Sequence, residues 1–222
     1  MKKVFLIFGL LIGVGLATIV FISCHNDNKT KKNDVTEQTD NNVSVELIDN
    51  MTGLTTDDEG MIINGVKWAT RNVAIPGTFA AKPENIGKLY QWNCDKPCDA
   101  TDFDNSPQAS KTWLTANDPC PEGWRVPTLN EIKTLLDKEK VTFEWTTLND
   151  IMGGKFTDKI TYNSIFLPAI GSTGTYWSNR QNNFNYGEAG HNAYCISFIS
   201  NGANSIALTH MGRGHCVRCV AK

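Results

Sequence analysis

Three groups of residues in this 222-residue chain have types and spacings that bear on chemistry: seven cysteines, the aspartates Asp99, Asp102 and Asp104, and an amide- and aromatic-rich stretch from Gly171 to Asn192. Cys24 stands at the end of an apolar run, and Cys94, Cys98, Cys120, Cys195, Cys216 and Cys219 follow it. In an exported protein the later group, an even number, reads as disulfides, with about 15 connectivities open to six cysteines. The aspartates alternate like calcium ligands but lack the glycine and terminal glutamate of a calcium loop, so a solvated acidic loop is expected. His191, His210 and His215 have no metal-ligand spacing with Cys195 or Cys216, and oxidised cysteines cannot ligate a metal. No serine sits in a Gly-x-Ser-x-Gly elbow and no cysteine has an obvious base beside it. The expectation is a protein that is not an enzyme, with no catalytic residue, metal or cofactor.

The Gly171–Asn192 stretch is different. Its mixture of Tyr, Trp, Asn, Ser, Gly and one Arg matches surfaces that recognise ligands with rigid aromatics and adaptable amides. Asparagine amides suit sugar hydroxyls, and aromatic rings suit sugar faces. Asn179, Arg180, Asn183, Asn185, Tyr186 and His191 are the candidate ligand-binding residues, against the plainer reading of a polar surface loop.

These residues must be positioned by a domain, and the chain divides to supply one. Lys2 and Lys3 precede a nearly unbroken apolar run from Val4 to Ile22, followed by an abrupt polar turn at His25-Asn26-Asp27-Asn28. That is the pattern of a secretory signal, with an uncleaved membrane anchor as the competing reading. Ser23-Cys24 at the junction resembles the bacterial lipobox, whose cysteine is lipidated, although Phe21 departs from the usual leucine. Residues 1–23 are therefore read as a lipoprotein signal and Cys24 as the lipidation site. Residues 24–59, rich in Asn, Asp, Thr and Lys, form a polar tether that cannot bury enough apolar surface to offset ordering. As a coil of roughly 35 residues it would span about 30–35 Å. The domain occupies 60–222. A net charge of −2 without a clustered basic surface gives no reason to expect nucleic acid.

Within the domain, Met61 to Trp68 places Asn64-Gly65 between apolar runs and predicts a hairpin. Gly87 to Trp92 alternates as a strand. Pro127 bars helix before it, Thr128 is an N-cap, and Glu131 completes a capping box. Leu129, Ile132, Leu135 and Leu136 then recur on one helical face, predicting a helix over about 128–139. Further strands are expected at 164–168, 175–178, 192–200, 204–209 and 215–221. This pattern predicts an α+β domain, mostly antiparallel, with many loops. Trp124 is expected to anchor the core under the helix start, and Arg125 to meet a carboxylate or a strand-end carbonyl.

Several segments carry a resemblance to a known family. They are Ile63-Asn64-Gly65-Val66-Lys67-Trp68-Ala69-Thr70-Arg71-Asn72-Val73, Gly87-Lys88-Leu89-Tyr90-Gln91-Trp92, Asn117-Asp118-Pro119-Cys120-Pro121 through Thr128, Phe166-Leu167-Pro168-Ala169, Tyr176-Trp177-Ser178, and Val217-Arg218-Cys219-Val220. In this order they resemble the Fibrobacter succinogenes major paralogous domain of Bacteroidetes surface and exported proteins, over about residues 60–221. The resemblance implies a C-type-lectin-like fold, with the chain ends together, long ligand-presenting loops, and a disulfide from the helix region to the last strand. In this chain the resemblance implies that the bridge would be Cys120 to Cys219. In the simple chain-entropy model a loop of about 100 residues closed this way stabilises by roughly 4–5 kcal/mol. Cys94 with Cys98 and Cys195 with Cys216 are the favoured remaining pairs, without family support.

The calcium-dependent lectins of such a fold carry motifs that Pro83-Glu84-Asn85 and Asn117-Asp118-Pro119 do not match, so no sugar-bridging calcium is expected. The signature of the related formylglycine-generating enzymes is absent too. The function expected is that of an outer-membrane, lipid-anchored protein whose domain binds a glycan or protein ligand non-covalently, with the membrane face left open. The alternative is a structural or tip subunit of a surface assembly or pilus, held by protein partners.

Overall fold

The computed structural model describes residues 53–104, 110–182 and 191–222. In chain order its strands are β1 (Met61–Ile63), β2 (Val66–Trp68), β3 (Leu89–Tyr90), β4 (Pro97–Cys98), β5 (Trp124–Arg125), β6 (Val141–Leu148), β7 (Ile151–Asp158), β8 (Ser164–Pro168), β9 (Thr173–Gln181), β10 (Asn192–Ile199), β11 (Asn204–His210) and β12 (Val220–Ala221). The helix α1 (Leu129–Leu135) lies between β5 and β6. The sheets are β1-β2-β12-β5, β11-β10-β9, β6-β7-β8 and the two-stranded β3-β4, with every named strand pair antiparallel. Among the described residues no helix is long and apolar enough to cross a membrane.

The expected α+β, C-type-lectin-like class is corrected by this architecture. The domain is β-rich, and its helix is seven residues long where about twelve are expected. The helix starts as predicted: the Thr128 side chain accepts the Glu131 N–H, and the Glu131 carboxylate accepts the Thr128 N–H at 2.7 Å. It ends early at Asp137. That residue's carbonyl takes the N–H groups of Lys140 and Val141, and its carboxylate takes that of Glu139. An aspartate that satisfies the backbone locally competes with helix, and the β-branched run from Val141 then continues as strand.

The hairpin β6–β7 is the longest in the domain, yet no strand is expected over 141–158. Its turn is Asn149-Asp150, both at positive φ (47° and 67°), a conformation these two residues tolerate better than most. The β1–β2 hairpin does turn at Asn64-Gly65 as expected, with φ of 46° and 79°. The C-terminal stretch pairs mainly through isolated bridges, and only Val220–Ala221 forms a strand, inserted between β2 and β5. The first hairpin and the last strand therefore share a sheet.

Two hydrophobic clusters fill the domain, and the β9–β10–β11 sheet separates them, because alternate residues of a strand face opposite ways. Tyr176, Ile196 and Phe198 point into one cluster, with Ile132 and Leu135 of α1 and Phe156, Ile165 and Leu167 of the neighbouring sheet. Trp177, Ala193 and Cys195 point into the other, with Trp92, Trp113, Trp124 and Val126. Phe198 is the hub of the first, lying 5.7–6.2 Å from the rings of Phe143, Trp145, Phe156 and Tyr176. Gly174 makes room for it: a Cβ there would stand 2.0 Å from the Phe198 ring.

One fully buried cation ties the C-terminal segment in. The Arg218 guanidinium donates to the carbonyls of Ala69 and Phe166 (both 3.0 Å) and to Asn72 Oδ1 (2.8 Å). Asn72 in turn donates to the Tyr176 hydroxyl, which donates to the Pro168 carbonyl. A buried charge without such partners would cost several kcal/mol, so this network accounts for an arginine in the core.

Candidate functional site

A groove of about 540 Å³ opens beside the start of α1, lined among others by Trp113, Thr115, Asp118, Trp124, Arg125 and Asn179. Each wall is fixed by local chemistry. The Asp118 carboxylate accepts the N–H groups of Cys120 and Val126, both at 3.0 Å, folding Pro119-Cys120-Pro121 back over the strand that follows. Burial holds the Asp118 carboxyl above its ordinary pKa, partly offset by those two N–H groups. Arg125 clamps Glu131 bidentately (2.6 and 2.8 Å), which joins the groove wall to the capping box. The carboxylate that Arg125 was expected to meet is therefore Glu131.

Trp124 is nearly buried and stands edge-on to Phe79 at 5.6 Å, as a core anchor should. Trp113 donates its indole N–H to the Asn117 carbonyl at 2.8 Å. The Cys120–Cys219 disulfide, with a Cα–Cα separation of 6.1 Å, ties the groove-lining Cys120 to the C-terminal segment. It is the bridge the family resemblance implies.

Asn179 completes the groove from β9. Its N–H donates to the Pro127 carbonyl (2.8 Å) and its carbonyl accepts the Trp113 N–H (2.9 Å), so the backbone is held on both sides. Its half-buried side-chain amide makes no hydrogen bond among the described residues. Of the sequence candidates, this one is brought to the groove.

The others are placed elsewhere. Arg180 is exposed, sits in the bulged part of β9 opposite Thr112, and is not among the residues lining the groove. His191 stacks on His210 at 5.4 Å, away from the groove-lining residues. Asn183, Asn185, Tyr186 and Cys24 lie outside the described residues. Among the described residues no group of three His, Cys, Asp or Glu could hold a metal. His215 is partly buried; desolvation, with the nearby Arg213 charge, lowers its pKa to about 4, and its ring bonds Thr209 and meets the Trp177 edge.

Two expected disulfides are corrected, since Cys98, Cys195 and Cys216 are free thiols. Cys195 on β10 pairs with Trp177, whereas Cys216 bridges Tyr176 from the other edge of β9. A strand lies between them, so their Cα atoms are about 9–10 Å apart, beyond disulfide reach. They also face different clusters. Cys98 sits in β4 opposite Leu89, with its sulfur packed beside Gly214 rather than joined to Cys94. Burial raises the pKa of Cys98 to about 11 and those of Cys195 and Cys216 to about 12, leaving little thiolate at neutral pH.

No local pattern links Asp118, Trp113 and Thr115 with Asn179 in one site. Trp113 and Asn179 are far apart in the chain, and only the pairing of 111–113 along the end of β9 joins them. Comparison with protein-family models, with curated proteins and with solved structures returns no match.

Proposed function

We propose that this chain is a lipid-anchored cell-envelope protein whose domain binds a glycan or protein ligand non-covalently. The observation that carries the reading is the groove at the start of α1, where fixed walls surround the uncommitted amide of Asn179. Rigid walls reduce the ordering cost of binding, and the raised thiol pKa values supply no nucleophile for covalent capture. Membership of the Fibrobacter succinogenes major paralogous family belongs to the same proposal and is supported by the sequence segments alone. So does the anchor at Cys24, supported by the lipobox-like junction.

Two measurements test it. The full chain, purified from membranes in detergent, is screened against glycan and extracellular-protein panels; failure to bind either, at any concentration tried, overturns the reading. Metabolic labelling with a fatty-acid analogue reports lipidation, which Cys24→Ala should abolish, and protease shaving of intact cells reports the face of display.

One observation favours a second reading, an assembly subunit. β6 and β11 are long strands at sheet edges, eight and seven residues, and exposed edges are templates for adding a strand. A stoichiometric partner recovered after mild crosslinking would select this reading.

A further inference from the structure

We infer that the groove beside α1 is a subsite for an uncharged saccharide, a conclusion that builds on the binding function proposed above. The charge inventory leads there. Asp118 spends its carboxylate on two backbone N–H groups, and Arg125 spends its guanidinium on Glu131. Arg125 is thereby paired, while Asp118 keeps its negative charge inside the wall. The four charged side chains of the lining are two of each sign, Asp118 and Glu122 against Arg125 and Lys222. The lining therefore carries no net side-chain charge with which to select an anion or a cation.

What it does offer is neutral and polar. The Asn179 amide presents a carbonyl oxygen and two N–H donors on one rigid group, a set that matches a pair of neighbouring hydroxyls, each both donor and acceptor. The Thr115 hydroxyl, on the short 3₁₀ turn Thr115–Asn117, is exposed at the same groove. Pro121, Trp113 and Trp124 also line the groove, each largely buried, so the apolar surface open to C–H groups is confined to their rims. The volume falls within the range of small-ligand sites, about 300–1,000 Å³, rather than that of a flat protein interface.

The walls are also held independently of any ligand. The disulfide, the Arg125–Glu131 clamp and the two backbone bonds at Asn179 keep the walls and the Asn179 main chain in place, and its side chain contributes no hydrogen bond to the fold. A site built this way discriminates through hydrogen bonds to hydroxyls that analogues lack.

The test uses the detergent-purified full chain and a set of neutral disaccharides (maltose, cellobiose, lactose, chitobiose), with sialyllactose and a sulfated disaccharide as charged comparators. Binding is read by tryptophan fluorescence and calorimetry. At least one neutral sugar is expected to bind, with an affinity that changes little between 0.1 and 0.5 M salt, concentrations that strongly screen charge. Asn179→Ala should weaken it about ten-fold or more, with an unchanged thermal midpoint, because a polar ligand group is left unmatched. Thr115→Val is a second variant on an exposed position and should weaken binding by a smaller factor.

Preference for the charged sugars, binding that Asn179→Ala leaves intact, or no sugar bound at all each overturn the inference. If no sugar binds but a protein from the extracellular panel does, the broader binding function stands and the saccharide subsite falls. If nothing binds, both fall.

Discussion

The two faces of the β9–β10–β11 sheet are made from alternate residues of the same strands, yet they are built differently. One face, around Phe198, is close-packed aromatic and aliphatic surface with glycines at Gly154 and Gly174 where the ring needs space. On the other face, three of the tryptophans have their indole N–H groups anchored: Trp92 to the Ser178 carbonyl, Trp177 to the Tyr90 carbonyl and Trp113 to the Asn117 carbonyl. Non-directional packing suits the first, whose task is stability. Directional bonds orient the second, and that is the side that ends in the groove. Anchored indole N–H groups are thus concentrated on the side that ends in the groove.

Breaking the apolar face should have the largest effect on stability and the smallest on binding. Phe198→Ala is expected to cost about 3–5 kcal/mol by urea unfolding, while any ligand affinity measured on the folded fraction stays close to wild type. Loss of affinity in that variant would show that the two faces are not independent.

Removing the staple on the indole face should do both. Cys120→Ser with Cys219→Ser is expected to lower stability by about 2–5 kcal/mol and to weaken ligand binding as well, since Cys120 lines the groove. Differential scanning calorimetry and the sugar titration read the two effects. An unfolding change without a binding change would assign the bridge to the fold alone.

Thr128→Ala removes the N-cap and should cost about 1 kcal/mol in the same unfolding assay. Its partner Glu131 also holds Arg125, so a small binding loss is expected beside the stability loss.

The apolar side has its own pH signature. Asp158 accepts the N–H groups of Thr161, Asn64 and Ile160, which lowers its pKa from the ordinary 3.8 to about 2. A depressed carboxyl stabilises the fold above its unfolded pKa, and that stability is lost as pH falls from about 4 to 2. Asp158→Asn should flatten this part of the stability–pH curve. A curve of unchanged shape would show that other carboxyls govern it.

The smallest expected effect is a null one. Cys98, Cys195 and Cys216 should resist iodoacetamide at neutral pH in the folded protein and react after unfolding, as mass spectrometry of the alkylated chain would show.

How much of this was legible in the sequence depends on distance along the chain. The Asn64-Gly65 turn, the Thr128/Glu131 capping box and the strand Ser164–Pro168 were readable because each is dictated within a few residues. The β6–β7 hairpin was missed because its turn, Asn149-Asp150, lacks the glycine that marks such turns most clearly. The α+β expectation failed for the same kind of reason: the helix period is real, but Asp137 ends it after seven residues.

The candidate site was half legible. Its composition pointed to Asn179 but also to Arg180, and the bulged end of β9 brings only the first to the groove.

By itself, then, the sequence determined the local turns and the cap. The Cys120–Cys219 bridge was implied by resemblance alone and is present in the structure. The tertiary structure alone decided that Cys195 and Cys216 lie on opposite sides of β9, and that Asn179 faces Trp113 and Arg125 across one groove. These outcomes depend on which strands become neighbours and which face each residue takes. Contacts between distant segments set both, and no local propensity encodes them.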